Sequence, residues 1–284
     1  MLAGAAACAV AFGALLTLAY GFADARAVDA AALEGFLGVG GDRVTRLANA
    51  LTDLGNPLPV ALLAIALALI ALARGRPRVA VFVLALVAVT SVSSQTLKAV
   101  LAYPRPEGTL GDTAISDAAF PSGHATAVMS LAIALVVTMP TRLRPAAAAV
   151  GLALVLAVSY SLVAIGGHFP SDVVGGFLLA TGAALVLLAG LRTADARFPA
   201  RQPRGRLARA AERWVERLAV VGLAAGIAAG VLVVGACVVI AVRRGPEIVD
   251  YAQAHTTFFV VAGVLAVSAL VLLGALTSVL SRRT

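Results

Sequence analysis

The side chains that could do chemistry in this sequence are concentrated in three short segments. They are Lys98 with Arg105 and Pro106, then Pro121, Ser122, Gly123 and His124, then Ser161, His168 and Asp172. Two histidines, two cations and a carboxylate can bind an anion, transfer protons and attack an electrophile. In a chain as apolar as this one, such groups are costly to place and usually serve a function. Together they predict a phosphate site.

The segment from Pro121 to His124 predicts the start of an anion-binding helix. Proline suits the first turn of a helix, and the free amides and positive dipole end of that turn bind phosphate. Ser122 adds a hydroxyl, Gly123 leaves the backbone open to close approach, and His124 can exchange a proton near neutral pH. We therefore expect phosphate at the end of this helix.

The third segment pairs a histidine with a carboxylate at the start of a second helix. Asp172 follows His168 by four positions, close enough to hydrogen-bond one imidazole nitrogen and leave the other free to attack. Pro170 and Ser171, which lie between them, again favour a helix start. Because both helices are predicted to begin at one membrane face, we expect their N-termini to converge.

Two cations complete the predicted site. Lys98 lies near the end of a predicted membrane helix, and Pro104 breaks that helix so that Arg105 can turn back towards it. The two side chains supply a point charge and a planar fork for phosphate oxygens. This set of groups needs no metal, and we expect no cofactor.

The composition predicts that membrane helices position these groups. The chain is 61% hydrophobic and 13% charged, with a mean hydropathy of +0.99. Several apolar runs reach the roughly 20 residues needed to cross a bilayer. Cys8 and Cys237 lie far apart inside such runs and predict neither a disulfide nor a thiolate metal site. The fold class is therefore all-α, a polytopic membrane helix bundle.

Run length and charged breaks predict eight membrane helices. They run roughly over Leu2–Phe22, Pro57–Ala73, Val79–Tyr103, Pro121–Met139, Pro145–Ile165, Ser171–Leu191, Leu218–Val242 and Thr257–Leu280. Between the first two, the segment Ala30–Leu54 has apolar residues at helical spacing among charges, interrupted by Gly38, Gly40 and Gly41. This pattern favours a short amphipathic helix at the membrane interface.

The distribution of charge predicts the orientation. With cytoplasmic termini, the inner segments hold 15 of the 22 basic residues and the outer segments hold 11 of the 14 acidic residues, which is the positive-inside pattern. The site then faces outward. The net charge of +8 is concentrated in residues 192–217, where it suits anionic lipid headgroups, and we expect no nucleic-acid partner.

Because no basic residue precedes Arg26, the first helix is expected to stay as an anchor; a signal peptide cleaved near Ala25 is the alternative.

Four regions follow from this reading. They are an N-terminal transmembrane helix with an outer interfacial helix (1–56), the core helices (57–191), a basic cytoplasmic linker (192–217) and two additional transmembrane helices (218–284). Gly222, Gly226 and Gly230 form a stripe on the seventh helix that predicts close helix packing, within the chain or across a homodimer. His255, in the last outer loop, is expected to be solvated.

The ordered set Lys-x6-Arg-Pro, Pro-Ser-Gly-His and Ser-x6-His-x3-Asp resembles the type 2 phosphatidic acid phosphatase superfamily of membrane lipid phosphatases, which shares its core with vanadium haloperoxidases. The resemblance spans about Leu51 to Leu191 and implies a six-helix phosphatase core, here with two extra C-terminal transmembrane helices. It implies that His168 is a nucleophile that forms a phosphohistidine, that Asp172 orients it and that His124 protonates the leaving oxygen. The implied substrate-binding residues are Lys98, Arg105, Ser122, Gly123 and Ser161.

One position departs from the family pattern. The third segment of the family usually has Ser-Arg before the histidine, whereas Leu162 follows Ser161 here. Loss of one charge-assisted phosphate contact commonly costs a few kcal/mol, roughly 10²-fold in rate, unless another cation replaces it. The candidate replacements on the outer side are Arg43, Arg46, Arg243 and Arg244.

The resemblance implies an integral membrane phosphatase that acts on a lipid phosphate at the outer leaflet. An outward-facing site in a bacterial cytoplasmic membrane suits recycling of a polyprenyl diphosphate carrier. Phosphatidic acid, phosphatidylglycerol phosphate and polyprenyl-linked sugar phosphates are the rival substrates. Two alternatives are a weak or inactive lipid-phosphate-binding scaffold, suggested by Leu162, and a phosphotransferase that passes the phosphoryl group to an alcohol.

Overall fold

The computed structural model describes residues 1–39, 41–104, 109–110, 113–198 and 213–281, the last range without 215, 218, 229, 233–234 and 236–244. Its helices are α1 (Leu2–Gly21), α2 (Ala23–Gly38), α3 (Asp42–Thr52), α4 (Pro57–Ala73), α5 (Pro77–Val100), α6 (Gly123–Thr138), α7 (Arg144–Ala164), α8 (Pro170–Arg197), α9 (Gly245–Ala254) and α10 (Thr256–Ser281). Short 3-10 turns, Asp53–Gly55 and Thr141–Leu143, precede α4 and α7, and β1 (Thr109–Leu110) pairs antiparallel with β2 (Thr113–Ala114). Apart from this minimal hairpin the described chain is helical. The predicted all-α membrane bundle is confirmed.

Most predicted helix boundaries lie within a few residues of the observed ones. The largest difference is the end of α8, which is predicted at Leu191 and lies at Arg197. The start of α6 is predicted at Pro121 and lies at Gly123. The reason is that the Ser122 hydroxyl accepts a hydrogen bond from the Ala125 amide, so Ser122 is the non-helical N-cap. Of the predicted helix Leu218–Val242, the stretch Ala219–Leu232 is seen as helix, and its last part falls outside the described residues.

Helix length limits how many of these elements cross a bilayer. Among the described residues, α1, α5, α7 with its preceding turn, α8 and α10 are long and apolar enough, and α3 with α4 forms one further span bent by 53°. By length and composition the described residues therefore support five spans, or six if the bent pair is one span, and part of the predicted seventh helix lies outside them. Helix α6 has only 16 residues, but twelve of them are buried by its neighbours. A helix enclosed by protein does not need the length of one that faces lipid.

Helix α6 is the centre of the bundle and packs against α4, α5, α7 and α8. Small residues bring the axes close: a Cβ at Gly151 of α7 would lie 2.9 Å from the Ala132 Cβ. A buried hydroxyl pair joins α6 to α5, with Thr90 Oγ1 and Ser130 Oγ 3.0 Å apart. In a membrane bundle, such small-residue contacts and interhelical hydrogen bonds replace the hydrophobic driving force.

The first turns of α6 and α8 pack directly on each other. A Cβ at Gly176 would lie 2.8 Å from the Ser122 carbonyl oxygen and 2.9 Å from the Thr126 amide nitrogen. The Ser122 amide also donates to the Asp172 carbonyl oxygen at 2.9 Å. The two predicted helix N-termini therefore converge at one end of the bundle.

The segment expected at the membrane interface forms two helices: α2 ends at Gly38 and α3 begins at Asp42. Helix α2 is more deeply packed than an interfacial helix, because Leu33 and Phe36 are buried in the main core against α7 and α10. Val44 and Leu47 of α3 are exposed. Only α3 therefore presents its apolar side outward.

Arginines gather at the end of the bundle opposite the converging helix starts. Arg76 donates to the Val137 carbonyl at 3.2 Å, Arg144 to the Leu280 carbonyl at 3.0 Å and Arg192 to the Val279 carbonyl at 3.1 Å. Two further pairs at this face are Arg74 with the Thr138 carbonyl, and Arg78 with Asp195 at 2.7 Å. Cations at helix C-termini satisfy free carbonyls and complement the helix dipole. These contacts fasten the ends of α6 and α10.

The C-terminal helices dock on α2 and on two core helices. Helix α10 packs against α2, α7 and α8, and the Tyr160 hydroxyl donates to the Ala262 carbonyl at 2.8 Å. His255 was expected to be solvated but is half-buried, with its ring stacked 4.2 Å from that of Tyr251. Gly226 packs against Val150 of the same chain, so this glycine serves internal packing. A homodimer through the glycine stripe stays a prediction.

Gly176→Val should destabilise the protein, because the added side chain meets the backbone of α6. Overpacking of this kind costs about 1–3 kcal/mol, so the Tm of the detergent-solubilised protein should fall. Gly190→Val in the same helix is the matched control, since nothing lies within 4 Å of its Cβ position. Equal Tm values for the two variants would contradict the close packing of α8 on α6.

Candidate active site

The start of α6 leaves two backbone amides available to an anion. The amide of Ser122 is used by the Asp172 carbonyl, and the hydroxyl of Ser122 is used by the Ala125 amide. The amides of Gly123 and His124 occupy the first two helical positions, which have no acceptor within the helix. These two donors, at the positive end of the dipole, form the predicted phosphate cradle. Ser122 is fully buried and acts as the cap of that cradle.

His168 and Asp172 form the predicted pair. The Nδ1 of His168 lies 3.4 Å from the Asp172 Oδ2, and both residues are buried. That oxygen also accepts the Phe169 amide at 2.9 Å, so a backbone donor fixes the carboxylate. The distance is long for a hydrogen bond. The arrangement leaves Nε2 as the nitrogen of His168 that can attack.

The start of α8 is held by a carboxylate that the sequence motifs do not include. Asp29 of α2 is buried, and its Oδ1 accepts the Ser171 amide at 3.1 Å. Its Oδ2 accepts the Ser171 hydroxyl. Asp29 thus occupies the Ser171 amide in the first turn of α8, and Asp172 occupies the amide of the preceding residue, Phe169. The amides of Gly123 and His124 are the ones available to an anion. An acidic residue in the apolar stretch of α2 was the signal that could have drawn attention to Asp29.

Lys98 places a cation beside the cradle. It lies in the last turn of α5, half-buried, and its Nζ is 4.0 Å from the position of a Cβ at Gly123. An ammonium group there faces the first turn of α6. The other predicted cation, Arg105, lies outside the described residues.

Ser161 is placed away from this cluster. It is buried on α7 and lines a separate cavity of about 280 Å³ with Phe36, Leu51 and Tyr160. The family resemblance implies that Ser161 binds phosphate, but Ser161 precedes the turn at 165–169 and faces α2 and α3. The geometry therefore gives no support to phosphate binding by Ser161.

His124 makes a contact that the motifs did not predict. Its Nε2 lies 2.9 Å from the Asn56 Oδ1, and the Asn56 Nδ2 donates to the Asp53 Oδ1 at 2.9 Å. Gly55 makes room for the imidazole, since a Cβ there would lie 2.8 Å from the His124 Cδ2. Sequence reasoning treated this segment only as a helix boundary, because nothing local links residue 56 to residue 124.

A groove between α4, α5 and α6 leads to the cluster. It encloses about 570 Å³. Its polar end contains Ser94, Gln95, Lys98, Gly123 and His124. The remainder is mostly apolar and is lined by Val60, Ala61, Ala64, Ile65, Leu84, Val87, Ala88 and Ala127, among others. A cavity with one charged end and a long apolar wall suits an amphiphile with an anionic head.

Leu162, which stands where the family usually has arginine, is part of the hydrophobic core. Leu162 is buried in the main hydrophobic cluster, and its carbonyl accepts the Gly167 amide at 3.0 Å. Of the candidate replacements, Arg43 and Arg46 lie on exposed positions of α3, while Arg243 and Arg244 fall outside the described residues. Within the described chain, no group of three or more His, Cys, Asp and Glu side chains could hold a metal ion.

Part of the chain matches a known family model. Residues 78–195 match the model of the PAP2 superfamily. No curated protein matches the chain. A solved structure that is similar in fold is the first transmembrane PAP2 type phosphatidylglycerolphosphate phosphatase from Bacillus subtilis, with a TM-score of 0.55 and 19% identity over 71% of this chain and 98% of that chain.

Asp29→Asn should lower stability, because it removes the negative charge at the positive end of α8 and one of two acceptors. A loss of about 1–2 kcal/mol is expected from these two terms, measured as a fall in Tm. The control is Asp24→Asn, which alters an exposed acidic residue in the first turn of α2, the helix that also contains Asp29. If the Tm of Asp29→Asn equals the Tm of the control, Asp29 does not hold the start of α8 in place.

Proposed function

We propose, on the match of residues 78–195 to the PAP2 superfamily model, that the protein is an integral membrane phosphatase that hydrolyses a lipid phosphate through a phosphohistidine intermediate. The observation that carries the proposal is the pairing of His168 with Asp172 beside the start of α6. The proposed phosphate cradle and the cation of Lys98 then line the polar end of one groove. The pair of His168 and Asp172 is joined to the cradle by the hydrogen bond from the Ser122 amide to the Asp172 carbonyl.

The first chemical step is attack by the Nε2 of His168 on phosphorus. The N–P bond forms as the P–O bond to the lipid breaks, and His124 gives its proton to the departing oxygen. Asp172 holds the Nδ1–H of His168 and stabilises the positive charge that develops on the ring. A water molecule then attacks phosphorus, His124 takes its proton, and the N–P bond breaks to release inorganic phosphate.

Charge stabilisation comes from the cradle. The amides of Gly123 and His124 and the ammonium of Lys98 face the place where phosphoryl oxygens gather negative charge. Such preorganised donors commonly supply the largest part of the rate enhancement in phosphoryl transfer. Arg105 is proposed as a further ligand on the family motif alone.

The groove favours a lipid over a water-soluble phosphate ester. Its apolar wall between α4 and α5 can hold an acyl or prenyl chain while the headgroup meets Lys98 and His124. The arginine-rich end of the bundle lies opposite the site, so the positive-inside pattern supports an outward-facing site at the outer leaflet. Polyprenyl diphosphate is our first choice of substrate, ahead of phosphatidic acid and phosphatidylglycerol phosphate.

A lipid-phosphate-binding scaffold is the second candidate, and Leu162 is the observation in its favour. The described chain fills that position with an apolar side chain where the family usually has arginine. A scaffold predicts headgroup binding without turnover, whereas the enzyme predicts slow turnover that depends on His168.

His168→Ala should abolish release of inorganic phosphate by the purified protein, assayed in detergent on short-chain polyprenyl diphosphate and on phosphatidic acid. Loss of the nucleophile removes the covalent route, so a fall of at least about 10³-fold is expected. His255→Ala, the histidine stacked on Tyr251, is the matched control and should keep wild-type activity. Activity of His168→Ala equal to that of the control would end the proposal. The wild-type enzyme should also keep its activity in EDTA.

A further inference from the structure

We propose that Asn56, backed by Asp53, is a positioning residue for His124 and selects the imidazole nitrogen that protonates the leaving oxygen. This inference rests on the proposed function and deepens it. It concerns residues upstream of the region that matches the family model.

The side chain of Asn56 does not cap its own helix. Asparagine at a helix N-cap normally accepts an amide of its own first turn, but Asn56, the N-cap of α4, makes no such bond. Its amide group bridges Asp53 and His124 instead, at 2.9 Å on each side. Pro57 and Pro59 in the first turn of α4 have no N–H to offer to a cap, so the side chain of Asn56 is available for a contact with another helix.

The chemistry of the bridge fixes every proton in it. An ionised carboxylate can only accept, so the NH₂ of Asn56 must face Asp53 and its carbonyl oxygen must face His124. A carbonyl oxygen also only accepts, so the Nε2 of His124 must carry a hydrogen. In the neutral ring this leaves Nδ1 without a proton, and the proton that His124 donates and recovers is therefore on Nδ1.

The surroundings of the ring hold this geometry. Gly55 lies against the imidazole at a distance that a Cβ would not allow. The charged and titratable groups that face His124 are Asp53 from the 3-10 turn, Lys98 from α5 and His168 before α8. Asp53 alone among them favours the imidazolium form. Burial, His168 and Lys98 lower the pKa of His124, and Asp53 opposes that shift. We call the chain of contacts from Asp53 through Asn56 to His124 the relay.

The relay predicts opposite pH shifts in two variants of nearly equal shape. Loss of the carboxylate in Asp53→Asn makes the imidazolium form of His124 less stable. The alkaline limb of the pH profile of kcat should therefore move to lower pH. Because Asp53 is exposed, the shift should be a few tenths of a pH unit. Asn56→Asp places a carboxylate directly on Nε2 and should move the limb to higher pH, by about one unit.

Removal of the bridge should reduce turnover without weakening substrate binding. In Asn56→Leu, kcat should fall about 10- to 100-fold, part of what a general acid contributes, while KM changes little. The matched controls are Asn49→Leu and Asp42→Asn, which alter exposed residues of α3. Both should keep the wild-type kcat and pH profile.

Histidine NMR tests the relay without any turnover. The chain has three histidines, so ¹⁵N-histidine labelling in detergent gives three ring signals, and His124→Gln assigns one of them. Wild-type His124 should be the Nε2–H tautomer at alkaline pH, and Asn56→Leu should show a mixture of both tautomers. The same tautomer in both proteins would overturn the inference.

The kinetic results separate this inference from the proposed function. If the wild type hydrolyses lipid phosphate through His168 but Asn56→Leu matches Asn49→Leu, the relay is wrong and the phosphatase stands. A wild type without His168-dependent hydrolysis contradicts the phosphatase, and the NMR tautomer then decides the relay alone.

Discussion

The direct contact between the first turns of α6 and α8 is the constraint on which the rest of the structure depends. Gly176 allows the backbone of α8 to approach Ser122 and Thr126, and the Ser122 amide bonds to the Asp172 carbonyl. This contact joins the helix that offers free amides to the helix that carries Asp172. A shift of one helix by a side chain's width would separate the cradle from His168, since reacting groups must be held within about 0.5 Å of productive geometry.

The family region alone does not complete the site. Asp29 holds the start of α8 from α2, and Asn56 meets His124 from the turn before α4. Both precede residue 78, where the match to the PAP2 superfamily begins. The N-terminal helices therefore form part of the frame that orients the reactive groups, and α10 packs against α2 from the other side.

Sequence predicted the fold class and most helices well, because run length and charged breaks are strong signals in so apolar a chain. It also predicted the contact between His168 and Asp172, which are four positions apart in the sequence. It failed where the structure depends on long-range packing. Asp29 and Asn56 reach Ser171 and His124 across 142 and 68 positions, and Ser161 faces a different cavity. No local pattern carries that information, and the short length of α6 is intelligible only from its enclosure by four helices.

The most direct measurement is the identity of the covalent intermediate. Purified protein would be mixed with a lipid phosphate labelled in its terminal phosphoryl group, quenched within milliseconds in alkali, where phosphohistidine survives, and digested for mass spectrometry. The account predicts a labelled phosphoryl group on His168, absent from His168→Ala. Steady turnover with His168 unlabelled, or with the label on another residue, would contradict it.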